Sequence, residues 1–459
     1  MPLIVQKYGG TSVADPDRMR AVADNVAFTR RHGNDVVVVV SAMGKATDNL
    51  ISLASQVSST RRGREMDMLL TTGERVSAAL LTMALHDLGI EAVSFTGSQV
   101  GIITDTTHGK AKIVEVKGDR VRQALADGKV AVIAGFQGVS TDKEVTTMGR
   151  GASDLTASAL AAALSADSCE IYTDVTGVFS ADPRIVPQAR KLSRISFDEM
   201  LEMAGSGSKV LALRSVEFAR NHGVALHVRS SFTWEPGTWV MNLDDPHVDE
   251  PGSSREKAME DPIISGVVTD VSESKVTVLG VPDHPGISAA LFESLAEANI
   301  NVDMIVQNTS TEGITDISFT MPSADMNVAE KIVQRVAESI DAMGVTHDQD
   351  IAKVSLVGAG MKSSPGVAAK MFRTLADQGI NIEMISTSTI RISVVIATSD
   401  LERAARSLHT AFGLDSGIDY SAPSPNAAET FPQPIWCISG SDRLWKSWWG
   451  SRMGWCDSR

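Results

Sequence analysis

Asp35-Val-Val-Val-Val-Val40 runs straight into Ser41-Ala-Met-Gly44. Five consecutive valines cannot alternate between core and solvent, so the run reads as a strand buried on both faces, the kind found in parallel sheets covered by helices. Working outward, residues 2–8 read as another strand. The helix Pro16–Arg31 between them carries apolar Met19, Val22 and Val26. Downstream, residues 74–88 read as helix, 130–134 as strand, 153–164 as helix and 170–173 as strand. Strands alternating with helices predict an α/β unit, an αβα sandwich around a mostly parallel sheet, over residues 1–245.

At 459 residues the chain is too long for one ordinary domain, and ~150 residues per domain suggests roughly three. Its 42 basic and 56 acidic residues leave a formal charge of −14. That balance argues against nucleic acid as a partner, since phosphate backbones select net basic surfaces, but it leaves room for a local basic pocket. Three cysteines cannot form a disulfide scaffold. No apolar run approaches the ~18 residues of a membrane span, and the first strand is not preceded by a cleavable apolar leader. The expectation is a soluble cytoplasmic protein with no membrane partner.

Residues 246–262 are rich in Asp, Glu, Pro and Ser and read as a linker. An internal repeat follows. Lys275-Val-Thr-Val-Leu-Gly280 matches Lys353-Val-Ser-Leu-Val-Gly358. At an offset of 80, Pro285-Gly286 falls on Pro365-Gly366, Ile300-Asn301 on Ile380-Asn381, and Met304-Ile305 on Met384-Ile385. Each copy reads as a ferredoxin-like βαββαβ unit, spanning residues 263–348 and 349–414. The second copy lacks a last strand, while residues 263–269 form an orphan strand ahead of the first. The orphan is therefore expected to complete the second unit. Residues 415–459 turn Ser/Pro/Asn-rich and carry five of the seven tryptophans; they read as a poorly ordered tail with no part in chemistry.

Four runs in the first half offer chemistry. Lys7-Tyr-Gly-Gly-Thr-Ser12 places a lysine at a strand end, then glycines whose N–H groups can converge on an anion at a helix N-terminus; a plain glycine turn would read the same way. Ser41–Gly44 follows the valine strand, where open α/β sheets hold ligands. Thr147-Met-Gly-Arg-Gly-Ala-Ser-Asp154 sets Arg150 between glycines, suited to bidentate capture of carboxylate or phosphate; Ser153 or Asp154 alone would serve as a helix cap. Thr173–Arg184 is a strand end followed by a long polar turn. Gly358-Ala-Gly-Met-Lys-Ser363 begins like a dinucleotide fingerprint, but Ser363 stands where the third glycine belongs. Neither a His-Glu-x-x-His nor a Gly-x-Ser-x-Gly motif occurs.

Together these runs resemble the aspartate kinases of the amino-acid kinase family, most closely the lysine- and threonine-regulated actinobacterial type. The motifs are Lys7–Ser12, Thr147–Asp154, Thr173–Arg184 and Gly207-Ser-Lys209, and the repeat looks like tandem ACT domains. The resemblance implies transfer of the ATP γ-phosphoryl group to the β-carboxylate of L-aspartate, with Mg²⁺ on the nucleotide and no metal site built from protein side chains. It places Lys7, Tyr8, Gly9, Gly10, Ser41, Thr173, Asp174, Phe179 (where tyrosine is frequent), Arg184 and Lys209 around ATP. Thr47, Glu74, Arg150, Gly151, Ser153 and Asp154 fall to aspartate. Lys7, Arg150 and Asp154 are the implied catalytic residues. Lysine and threonine are the implied effectors, at Asp283, Gly286, Ser288, Gln307, Asn381 and Ile382. The implied assembly is a homo-oligomer or a heterotetramer with an ACT-only small subunit. An acetylglutamate or glutamate 5-kinase would share the nucleotide motifs without the repeats, and a non-catalytic ACT sensor would need only the repeats.

Overall fold

The computed structural model describes residues 1–59, 63–149, 151–243, 263–308, 313–359, 361, 364 and 366–415. Arg150, the linker 246–262 and the tail beyond Asp415 lie outside the described residues.

The valine run is Asp35–Val40, inside an eight-stranded sheet. Across that sheet the order is Arg194–Ser196, Thr238–Met241, Leu226–Ser230, Ser168–Thr173, Leu3–Tyr8, Asp35–Val40, Val130–Ala134, Ala92–Phe95. Every pairing is parallel except that of Leu226–Ser230 with Thr238–Met241. The valines divide by parity, as the pleat requires. Val37 and Val39 enter one core with Ile133 and Leu160, while Val36, Val38 and Val40 enter the other with Val26, Leu81 and Leu85. The helix Pro16–Arg31 starts on the Asp15 cap, whose side chain accepts the Arg18 N–H, with Pro16 in its first turn.

A smaller sheet was not expected from the sequence. Its order is Ile113–Val116, Ile102–Thr104, Gln137–Ser140, Val145–Thr147. Strands of three or four residues carry too little period to be read from pattern alone.

Each repeat forms a four-stranded antiparallel sheet. The first runs Ile305–Gln307, Ile314–Pro322, Glu273–Pro282, Gly344–Asp348. The second runs Ile263–Asp270, Ile351–Ala359, Arg391–Ala397, Met384–Thr387. The strand that precedes the first repeat thus lies in the sheet of the second. Three ion pairs, made by two lysines in opposite directions, clasp the sheets. Lys353 Nζ, buried, meets Glu273 Oε1 and Asp303 Oδ2, each at 2.5 Å. Lys275 pairs with Glu383 in return. In both directions a first-strand lysine reaches the acid two residues beyond the partner's Ile-Asn motif. A lysine this deeply buried is tolerated because two carboxylates face it. Asn301 and Asn381 themselves sit in the segments leading into the short strands, not on the strands.

Candidate active site

Four parallel strands deliver their C-terminal ends to one edge of the large sheet, the edge where open α/β sheets bind ligands. Tyr8 is in register with Val40 and Tyr172, and Val40 with Ala134. Gly9-Gly10, Ser41–Gly44, Gly135 and Thr173-Asp174 therefore leave the sheet side by side.

Close backbone approach explains the glycines. A Cβ on Gly10 would lie 2.9 Å from the Ala42 carbonyl oxygen, so any side chain there would push the two loops apart. The Ser41 N–H donates to the Tyr8 carbonyl at 3.1 Å, and the Gly44 N–H to the Gly10 carbonyl at 3.0 Å. Gly135 is hemmed in by Ser153, whose Oγ would lie 2.8 Å from an added Cβ.

Lys7 lies at the end of Leu3–Tyr8, largely buried, with Nζ 2.6 Å from Asp154 Oδ1. Its ammonium would stand 3.4 Å from a Cβ on Gly9, so the charge sits directly beneath the glycine turn. The helix Ala152–Leu164 is capped by Gly151 at φ 74°, with no side-chain cap. Neither Ser153 nor Asp154 plays the capping part that its residue type suggested: both lie inside the first turn. Asp154 instead pairs with Lys7, and its Oδ2 accepts a long 3.4 Å bond from the Ala212 N–H.

Glu74 lies in the first turn of Thr72–Asp87, buried. Its Oε1 accepts the Ala42 N–H at 3.2 Å, and its Oε2 has no hydrogen-bond partner among the described residues. Burial raises its carboxyl from 4.5 to about 7. A buried carboxyl with one oxygen unpartnered, beside the Ser41–Gly44 loop, is suited to a cationic group arriving from solution. Thr47 is half-buried in the first turn of Ala46–Val57, just past the same loop.

The polar turn after Ser168–Thr173 leaves the sheet beside these loops. The Thr173 hydroxyl donates to Asp174 at 3.1 Å. Phe179 is half-buried and bridged to Lys191. Arg184, exposed, grips Asp182 by Nε at 3.0 Å and Nη2 at 2.6 Å, and this holds the Asp182 carboxyl below its usual range, with Lys209 adding to the effect. Tyr8 departs from the expectation. Its ring is fully buried, stacked 4.7 Å from Tyr172, with its hydroxyl donating to Gln6. Only its backbone faces the edge.

In the repeats, Gly286 at φ 99° caps Ile287–Glu297, and the Ser288 hydroxyl donates to Gln307 Oε1 at 3.1 Å. The Asp283 N–H donates to the Gly313 carbonyl at 2.9 Å, and Asn381 and Ile382 precede Met384–Thr387. Among the described residues, no group of three or more His, Cys, Asp or Glu could hold a metal ion. Nor is any described helix long and apolar enough to cross a membrane.

Residues 2–230 match the amino acid kinase family, and residues 276–336 and 354–412 match the ACT domain. The chain is 53% identical over 417 residues to the aspartokinase of Corynebacterium efficiens, an alignment covering 90% of this chain and 97% of that protein. The chain belongs to the aspartokinase family. It is an aspartate kinase and uses a nucleotide. Among solved structures, Escherichia coli aspartokinase III in complex with aspartate and ADP, its R-state, superposes with a TM-score of 0.74 at 25% identity, over 89% of this chain and 99% of that one. The same enzyme in complex with lysine and aspartate, its T-state, gives 0.67 at 25% identity, over 89% and 99%.

Sequence reasoning missed the partners more than the residues. The Lys7–Asp154 pair joins positions 147 apart in the chain, and the Ser12–Ser231 hydroxyl contact at 2.5 Å spans 219. Asp67, buried, collects bonds from His108 Nδ1 at 2.7 Å, the Gly109 N–H at 3.1 Å and the Thr147 hydroxyl at 2.5 Å. No local signal marks any of these.

Proposed function

We propose that the chain transfers the γ-phosphoryl group of ATP to the β-carboxylate of L-aspartate, giving 4-phospho-L-aspartate and ADP, at the sheet edge built on Lys7 and Asp154. The observation that carries this reading is the buried ammonium of Lys7 beneath the Gly9-Gly10 turn, held by Asp154, at the sheet edge where the buried Glu74 carboxyl bonds the Ala42 N–H. The E. coli relative solved with aspartate and ADP supports it.

The nucleophile is the substrate's own carboxylate, ionised at neutral pH given a reference pKa of ~4. A general base is not required. The difficulty is bringing one anion onto another, so the chain's task is charge neutralisation and in-line positioning. Lys7 neutralises the β/γ-phosphates, and Asp154 fixes Lys7 in place. Gly9, Gly10 and Ser41 offer backbone and hydroxyl donors. Thr173, Asp174, Phe179, Arg184 and Lys209 line the nucleotide. Glu74 takes the substrate ammonium and Arg150 its α-carboxylate, with Thr47, Gly151 and Ser153 beside them. The exposed Asp174 carboxylate would help hold a Mg²⁺ brought by the nucleotide, which when bound would offset charge on the transferred group.

We further propose that the product enters synthesis of lysine, threonine, methionine and isoleucine. Lysine, threonine or both would inhibit through Asp283, Gly286, Ser288, Gln307, Asn381 and Ile382, in an oligomer or with an ACT-only small subunit. The E. coli relative solved with lysine supports an amino-acid effector. Hydroxamate trapping of the acyl phosphate, with aspartate, glutamate and acetylglutamate offered separately, tests the substrate. Product with glutamate or acetylglutamate but not aspartate would overturn the reading.

A further inference from the structure

The polar turn after Thr173 has an underside, and that underside is part of the second repeat. Ala181 and Val186 are buried in one core with Val267, Ala352, Val354, Leu356, Leu408 and Leu414, while Ile185 and Ala189 pack against it. The Val267 N–H donates to the Ser180 carbonyl at 2.7 Å, so the strand Ile263–Asp270 is hydrogen-bonded to the turn as well as to its own sheet. At Gly266 the contact is too close for a side chain: a Cβ would lie 2.7 Å from the Ser180 oxygen and 2.8 Å from Met203 Cε. Arg406 Nε donates to the Ile185 carbonyl at 2.7 Å, and Arg190 Nε to the Leu414 carbonyl at 2.6 Å.

His409, fully buried on the helix Leu401–Ala411, ties these contacts together. Its Nε2 lies 2.9 Å from Ser180 Oγ, and its Nδ1 bonds Asp415. The carboxylate of Asp415 can only accept, so Nδ1 carries the proton. Burial keeps the ring neutral by holding it below the ordinary histidine range. Nε2 must then accept, which makes Ser180 the donor to it. Ser180 Oγ in turn accepts the Arg190 N–H at 2.9 Å. Ser180 is therefore locked on both sides, one residue from Phe179 and two from Asp182.

We propose that the second repeat is a wall of the nucleotide site and that His409 is a positioning residue for ATP, acting through Ser180. The inference rests on the reading that Phe179 to Arg184 lines the nucleotide. Steady-state kinetics of the full chain test it, with ATP and aspartate varied separately in Ser180→Ala, His409→Ala and the double variant. Losing one such hydrogen bond should raise the ATP KM about three- to tenfold, leave the aspartate KM within about twofold, and give no further rise in the double variant. Ser180→Ala removes a single oxygen, so it remains testable should His409→Ala fail to fold. An unchanged ATP KM in folded Ser180→Ala, or equal rises for both substrates, would overturn the proposal. Phe179→Ala separates the two readings. If it raises the ATP KM while Ser180→Ala does not, only the positioning role fails; if neither variant raises it, the nucleotide assignment fails.

Discussion

Glu74→Gln should make the enzyme more stable at pH 8 and far less able to use aspartate. The carboxyl rises from 4.5 in a free chain to about 7 in the fold, because burial disfavours its charge. The folded chain therefore holds this proton more tightly than the unfolded chain. Stability contributed by that preference is fully present below pH ~4.5 and lost as pH climbs through about 7. At about 1.4 kcal/mol per unit the loss approaches 3 kcal/mol by pH 8. Glutamine keeps the shape and the acceptor toward the Ala42 N–H without any charge to bury. Its melting temperature should be insensitive to this titration, equal to wild type below about pH 4 and higher at pH 8. Catalysis should move the other way. If the ionised carboxylate receives the substrate ammonium, kcat/KM for aspartate in wild type falls about tenfold per pH unit below 7. In Glu74→Gln that limb should vanish and the whole profile should sit low. Initial rates across pH 5.5–8.5, with melting curves in the same buffers, measure both effects. A variant that keeps the wild-type limb, or one no more stable than wild type at pH 8, would refute the argument.

Lys7→Ala should cut kcat by about 10²–10³-fold through lost phosphate neutralisation. It should also lower the melting temperature, since Asp154 is left as a buried unpaired charge; Lys7→Ala with Asp154→Ala should recover the melting temperature but not the activity. Asn381→Ala should weaken inhibition by lysine and threonine while keeping uninhibited kcat within about threefold, because an effector acts only through its differential affinity for two states; unchanged half-inhibition concentrations would remove Asn381 from the effector site. Truncation after Asp415 should preserve rate and ATP KM, whereas truncation after Gly413 removes the acceptors of Arg190 and His409 and should raise the ATP KM. Equal behaviour of the two truncations would count against the contacts.

The fold was legible where a residue pattern is dictated by burial. Five valines can only be a two-sided strand, and the helix Pro16–Arg31 was bounded correctly because a cap, a proline and an apolar period agree there. The small sheet of short strands was not legible, since three residues have no period to detect. In the site, the glycine turns and Lys7 announced themselves through chain chemistry. Residue type alone suggests a helix cap at Asp154, whereas its partner Lys7 lies 147 positions away and is brought to it by the packing of the helix Ala152–Leu164 on the strand Leu3–Tyr8. The Ser180–His409 link was invisible for the same reason, joining positions 229 apart.

The interleaved strand also has a consequence in time. Asp270 pairs with Lys353 and Ile263 with Ala359, so Ile263–Asp270 emerges from the ribosome 83 residues or more ahead of its partner. At ~5–20 residues per second the wait is about 4–17 s. During it the first repeat, whose strands span Glu273 to Asp348, can close on itself. The waiting strand meanwhile presents Val267 and Val268 with an unpaired edge, a template for the same strand of a neighbouring nascent chain. Polysome density and chaperone occupancy over this window would thus bear on the yield of the kinase as much as its final stability does.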